Sequence, residues 1–230
     1  TWSMSVGLET TARVDFNRNA MADLRSPVEG IVREVLVDLG QSVGLGDPLF
    51  TLESAQVGDL QARQQGVRGL VAAARANLRR QEALRAGDIA SQRQVEVARQ
   101  ELTAAEAEQR SITQSLRISG AEISGAAPNA RAGRFTVDAP IAGSVIRRPA
   151  LLGTFAGASD ALATIADTSV MWALLDVPEW DAAGVHLGQK VEVRVDGVPG
   201  RTFTGALTWI AADVDPRTRS VTARAEVDNP

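Results

Sequence analysis

Cysteine and tyrosine are absent from this 230-residue chain, and histidine and lysine occur once each, as His186 and Lys190. Without cysteine there are no disulfides, no thiolate nucleophiles and no thiolate metal ligands. A single histidine cannot supply the imidazole pair on which most zinc sites are built. Aromatic residues make up 4% of the chain, too few to line a large aromatic ligand pocket. No run of about 18 apolar residues occurs, so nothing reads as a membrane-spanning helix, and no secretory leader is visible. The 24 basic side chains are outnumbered by 28 acidic ones, for a net charge of -4, which gives no footprint for nucleic acid. There is no G-x-S-x-G elbow, and no P-loop or G-x-G-x-x-G after a strand. The chain is therefore expected not to be an enzyme and to hold no cofactor. It begins at Thr1 and stops at Asn229-Pro230 directly after a strand-like run, and it reads as a piece of something longer.

Two sets of side chains bear on metal binding. Asp176, Glu179, Asp181 and His186 lie close in sequence. A carboxylate–imidazole site is conceivable there, but an exposed loop is the simpler account. Met4, Met21 and Met171 are scattered; soft-metal sites favour clustered thioethers, and isolated methionines mostly pack. No metal site is assigned.

What the chain does contain is an internal repeat. Residues 26–52, SPVEGIVREVLVDLGQSVGLGDPLFTL, align without a gap to residues 139–165, APIAGSVIRRPALLGTFAGASDALATI, at an offset of 113. Nine positions are identical, among them Pro27/Pro140, Gly30/Gly143, Val32/Val145, Gly40/Gly153, Gly44/Gly157, Asp47/Asp160 and Leu49/Leu162. Spaced glycines separate short apolar runs, the pattern of short strands joined by tight turns. Each half is too small to bury a core alone, and two halves face to face make a small sandwich. This resembles the lipoyl/biotinyl carrier fold. Carriers of that type bear their cofactor on a lysine, and neither repeat has one, so lipoylation and biotinylation are excluded at that site.

Between the halves, residues 54–118 contain no proline and are rich in strong helix formers. Val57, Leu60, Gln64, Val67, Val71, Ala74 and Leu78 recur at spacings of three and four. So do Val95, Ala98, Leu102, Ala105, Gln109, Ile112 and Leu116. Both are heptad seams. Gly87-Asp88 interrupts them, with Ser91 or Asp88 as the cap of the second helix. The spacing predicts an antiparallel helical hairpin about 40 Å long that projects from the sandwich. Gly66 and Gly69 mark a bend or a close approach.

After a polar linker, Val170–Val177, Val191–Val195, Ala206–Ile210 and Ser220–Val227 read as strands, with a short helix at Pro178–Asp181 and turns at Asp196-Gly197 and Asp215-Pro216. This spacing predicts a small β-barrel. An alternating segment, Val6 to Phe16, is expected to complete it. The full division is 1–25, N-terminal strands contributing to the barrel; 26–53, first lipoyl-like half; 54–118, helical hairpin; 119–134, linker; 135–167, second half; and 168–230, barrel. The fold class is mixed and mainly β.

MWALLDVPEWDAAGVHLGQKVEV and the ending VDPRTRSVTARAEVDNP resemble the β-barrel domain of the periplasmic adaptors, or membrane fusion proteins (HlyD-like), that serve resistance-nodulation-division (RND) efflux pumps. Arg80-x3-Leu84-x6-Ser91 at the hairpin turn resembles their Arg-Leu-Ser tip motif. The resemblance covers essentially the whole chain and its order of units. It implies that Arg80, Leu84 and Ser91 contact the helical tips of an outer-membrane channel. It also implies an inner-membrane RND transporter as second partner, self-association usually as a hexamer, and a periplasmic location held to the inner membrane by a segment not in this chain. A membrane-proximal domain that follows the barrel in that family is not present. The implied cargo is heavy-metal cations or drugs, with the short hairpin favouring metals. An adaptor of an ATP-driven exporter, a carrier-like enzyme component and a metal chaperone remain alternatives.

Overall fold

A computed structural model of the chain describes residues 8–120, 133–198 and 200–230. In chain order the elements are β1 (Ala12–Phe16), β2 (Met21–Arg25), β3 (Gly30–Val35), β4 (Ser42–Val43), β5 (Pro48–Glu53), α1 (Ala55–Ala86), α2 (Gln92–Ile118), β6 (Arg134–Asp138), β7 (Gly143–Arg147), β8 (Phe155–Ala156), β9 (Ala161–Ala166), β10 (Val170–Pro178), β11 (Lys190–Arg194), β12 (Thr202–Ile210) and β13 (Ser220–Asp228). Most of the expected linker, and Met4 and Val6 of the N-terminal segment, lie outside the described residues.

The two repeat halves close into one sandwich by exchanging strands. One sheet runs β2-β9-β7-β4 and the other β6-β5-β3-β8, so each contains strands of both halves. The exchange follows the repeat offset residue by residue. Gly30 pairs with Ala156 and Ile31 with Phe155, just as Gly143 pairs with Val43 and Ser144 with Ser42. Even the bulge recurs, between Val32 and Glu34 in β3 and between Val145 and Arg147 in β7. A bulge bends its strand, so both halves turn inward at the same place. The pairs Val32/Val145, Leu49/Leu162 and Leu52/Ile165 are all fully buried in the shared core. The symmetry breaks at Phe50 and Ala163, both fully buried, where one half supplies the volume that the other omits.

One repeat glycine has a steric reason. A Cβ on Gly30 would lie 2.7 Å from the carbonyl oxygen of Glu53, and one on Gly143 would clash with that of Ala166. Glu53 leads into the hairpin and Ala166 towards the barrel. The repeat thus has two equivalent exits, each guarded by a glycine, and the chain uses one for each appendage.

The hairpin is rooted in the sandwich. Val57 and Leu116 belong to its buried core, with Leu60 and Ile112 packed against it. Gln61 Oε1 accepts the Gly133 N–H at 2.8 Å. Helices of 32 and 27 residues give arms of about 48 and 40 Å. Along the seam Val67, Val71 and Ala98 are buried. Gln64 is also buried and reaches Thr113 Oγ1 at 3.5 Å. Of the bend or close approach expected at Gly66 and Gly69, the close approach is not found within the chain. Helix α1 is continuous through both, and a Cβ on either would meet nothing within 4 Å.

The remaining strands form a five-stranded antiparallel sheet in the order β1-β10-β13-β12-β11. One face buries Ala173, Val177, Val193, Leu207, Ala223, Ala225 and Val227. The short helix expected near Pro178 is a 3-10 helix, Glu179–Gly184, whose Ala182 packs on this core. On the opposite face the Arg224 guanidinium stacks 4.2 Å from the Trp172 ring centre. The N-terminal segment divides. β1 pairs with β10 in this sheet, whereas β2 pairs with β9 in the sandwich, where Leu24 joins the core. The assignment of residues 1–25 to the barrel is therefore corrected for 21–25: Leu24 buries its side chain in the sandwich instead.

Candidate docking site at the hairpin tip

Arg80 and Leu84 stand one turn apart near the end of α1, and Ser91 caps the start of α2. Arg80 is exposed, and its Nη2 donates to Asn77 Oδ1 at 3.2 Å. The Asn77 amide in turn donates to Glu101 Oε2 at 3.4 Å, tying Arg80 loosely to the second helix. Leu84 is half-buried.

Ser91 forms a capping box with Gln94. Its Oγ accepts the Gln94 N–H at 3.3 Å, and Gln94 Oε1 accepts the Ser91 N–H at 2.7 Å. This satisfies two donors that the helix start leaves free. Asp88, the other candidate cap, has a different task. It adopts φ 56°, the left-handed conformation that usually falls to glycine. Its N–H reaches the Arg85 carbonyl at 3.0 Å, and the Ile89 N–H reaches that of Leu84 at 2.9 Å. These two bonds make a Schellman turn. Gly87, which precedes Asp88, keeps an ordinary φ of -95°. The sequence reading placed the break correctly at Gly87-Asp88 but did not see which residue takes the unusual backbone.

The turn fixes what stands at the apex. Ala90 is buried, and Ile89 is 76% exposed. Ile89 escaped the sequence reading because it belongs to neither seam. The signal was available, since an apolar residue directly after a left-handed turn is part of the Schellman pattern. Ser91 also borders a shallow open groove of about 270 Å³ with Asn77, Gln81, Gln94, Val97 and Glu101. Groove and apex are surfaces for contact; they do not enclose a ligand.

The metal-binding alternatives gain nothing from the geometry. His186 is exposed, and its backbone N–H is bonded to Gln189 Oε1 at 3.1 Å. Among the described residues no three His, Cys, Asp or Glu side chains gather where an ion would be held, around Asp176, Glu179 and Asp181 or elsewhere. Met21 and Met171 are half-buried in β2 and β10. Among the described residues no helix is long and apolar enough to cross a membrane.

Comparison with known proteins gives the context of this site. Residues 20–167 match the family model described as CzcB-like, barrel-sandwich hybrid domain. Residues 170–230 match the CusB-like, beta-barrel domain. The cation efflux system protein CzcB of Alcaligenes sp. (strain CT14) is 24% identical over 227 residues, 99% of this chain and 43% of the relative. The cobalt-zinc-cadmium resistance protein CzcB of Cupriavidus metallidurans is 23% identical over the same shares. The chain thus spans less than half the length of these relatives. The crystal structure of ZneB from Cupriavidus metallidurans superposes with a TM-score of 0.65 at 27% identity, covering 95% of this chain and 89% of that one. A MacA-MexA chimeric protein that carries the Pseudomonas aeruginosa MexA α-hairpin gives a TM-score of 0.69 at 20% identity, over 96% and 74%; this second likeness speaks for the fold alone.

Proposed function

The chain belongs to the CzcB-like family of membrane fusion proteins, and from that premise we propose that it is the periplasmic adaptor of an RND pump that exports heavy-metal cations. In this reading it links an inner-membrane RND transporter to an outer-membrane channel and acts by geometry, without catalysis. Residues 26–53 and 135–167 make one lipoyl-like unit split by the 54–118 hairpin, and 168–230 form the barrel unit. Copies pack side by side, six to a ring, with their hairpins aligned. Arg80, Leu84 and Ser91 meet the channel's helical tips.

The observation that carries this reading is the rod rooted in the sandwich core through Val57 and Leu116 and ending in an ordered turn. A structural insertion has no need of arms this long, and a two-helix rod with few buried seam residues draws little stability from its own core. Its length serves reach. Metal cargo is favoured over drugs by the two CzcB relatives, a cation efflux system protein and a cobalt-zinc-cadmium resistance protein.

The test uses the full-length protein in its host. Arg80→Asp is expected to leave export and melting temperature unchanged, since exposed positions shift stability by about 0.5 kcal/mol or less; Leu84→Asp, at a half-buried position, is expected to cost about 1–2 kcal/mol while leaving export unchanged. Both are expected to abolish zinc, cobalt or cadmium resistance and crosslinking to the channel. Full resistance and crosslinking in both variants would remove the tip as docking element. Loss of drug resistance with metal resistance intact would overturn the cargo.

A further inference from the structure

The Schellman turn asks for an apolar residue at Ile89, yet leaves it 76% exposed, and unpaired cations stand beside it; together they describe what the apex meets. Resting on the adaptor reading, we propose that Ile89 and Arg93 determine the tip's selectivity. Ile89 enters an apolar recess between helix ends of the channel protein, and Arg93, with Arg79 and Arg80, meets carboxylates on the rim of that recess.

Ile89 contributes its backbone N–H to the turn, and any residue but proline has one. Its side chain does nothing for the hairpin interior, being 76% exposed. It lies over Gly87, where the place of a Cβ would be 3.8 and 4.0 Å from its Cδ1 and Cγ1, and a β-branched side chain has few rotamers. A convex point of this kind finds burial only in a concave partner.

The charges say what surrounds that recess. On the hairpin, Arg75 pairs with Glu106 at 2.7 Å and Arg99 with Glu82 at 3.4 Å, while Arg63, Arg68 and Arg110 on the shaft form no ion pair among the described residues. At the apex three more unpaired arginines stand against the single carboxylate of Asp88. Arg79, Arg80 and Arg93 are exposed and form no ion pair among the described residues. Arg93 lies in the first turn of α2, which has no acidic residue. A cation there opposes the positive end of the helix dipole, so its position works against the helix it belongs to. An unpaired cationic collar around an apolar point repels a second copy of itself, and fits an acidic rim. It also fits an anionic bilayer. One isoleucine with a half-buried leucine beside it offers too little apolar surface for a lipid anchor, so the protein recess is favoured.

The experiment measures the Kd of the full-length adaptor for its cognate outer-membrane channel in nanodiscs, with phosphatidylglycerol vesicles as the lipid arm. Ile89→Ser is expected to weaken channel binding by about tenfold or more at every salt concentration. Arg93→Glu is expected to weaken it strongly at about 50 mM salt and much less at about 500 mM, because screening removes its contribution. Melting temperatures stay at the wild-type value. If both variants bind as wild type while Arg80→Asp does not, the tip docks but this pair does not select. If Arg80→Asp also binds as wild type, the docking reading falls and takes this inference with it. Vesicle binding that Ile89→Ser abolishes would assign the apex to lipid and overturn the recess.

Discussion

The Gly40 N–H donates to the Val145 carbonyl at 2.8 Å, and at the repeat-equivalent place the Gly153 N–H donates to that of Val32, also at 2.8 Å. Each half thus hands its turn to a strand of the other, so neither half can close alone. The hairpin interrupts the sequence between them without interrupting this exchange. Its roots are another matter, because Val57 and Leu116 are part of the shared core. Replacing residues 65–112 with a short Gly/Ser loop is expected to leave a cooperatively folding protein. Replacing all of 54–118 empties two fully buried sites and is expected to cost several kcal/mol, at about 2–5 for each large side chain lost. Urea unfolding of the two deletions checks this. Equal stability would show that the roots are not structural.

Glycines of this chain fall into two kinds that the sequence cannot separate. At Gly30 an added Cβ sits 2.7 Å from the Glu53 carbonyl oxygen, whereas at Gly66 and Gly69 it meets open space. Gly30→Ala is expected to destabilise by roughly 1–3 kcal/mol, as overpacking does. Gly66→Ala and Gly69→Ala are expected to stabilise by up to about 1 kcal/mol each through helix propensity. Should the helix glycines destabilise when filled in the assembled pump but not in the isolated chain, their space belongs to a neighbour.

Much of this fold was legible because it is written twice. The offset of 113 predicts the sandwich, and the strand pairings obey it. The seams predict the hairpin because buried positions recur by the turn of the helix, as at Val57, Val67 and Val71. What stayed hidden is decided by tertiary partners. β2 alternates like β1, and only the burial of Leu24 sends it to the sandwich. At the tip Arg80, Leu84 and Ser91 are singled out through a resemblance. Asp88 and Ile89 are not, because backbone handedness at a Gly-Asp pair depends on which carbonyls the next two N–H groups reach.

Beside the hairpin root, Glu53 gathers two arginines. Arg33 holds it through Nε at 2.9 Å and Nη2 at 3.3 Å, and Arg134 Nε stands 3.5 Å away. The Arg33 hydrogen bond is the largest of several causes that lower the Glu53 pKa below the ordinary glutamate value. A group whose folded pKa is depressed adds stability above its unfolded pKa and loses it as pH falls through the folded one. Wild type is therefore expected to weaken on the acid side of the ordinary glutamate pKa, and Glu53→Gln to lose part of that slope. The carboxylate is solvent-exposed, so the effect shrinks with salt. Melting curves against pH at low and high salt test it; identical acid limbs would mean that the cluster contributes nothing.

Asp88 holds a conformation that Gly87, its neighbour, could adopt with less strain. A non-glycine residue in the left-handed region costs roughly 1 kcal/mol, somewhat less for Asp and Asn. Gly87 takes an ordinary φ, and a Cβ there would make only normal contacts, at 3.7 Å from the Leu84 carbonyl oxygen. The tip thus places glycine one residue before the position that asks for it. The paired exchange Gly87→Ala with Asp88→Gly is expected to tighten the turn by about 1 kcal/mol. Because tips open locally rather than with the whole domain, the readout is amide hydrogen exchange at Ile89 and Ala90, whose N–H groups both reach the Leu84 carbonyl. Their exchange is expected to slow by about fivefold, with the sandwich amides unchanged. Asp88→Val, β-branched and poorly suited to positive φ, is expected to speed it. If the glycine exchange leaves the tip amides as fast as before, the left-handed aspartate carries no strain, and the Schellman bonds alone set the stability of the turn.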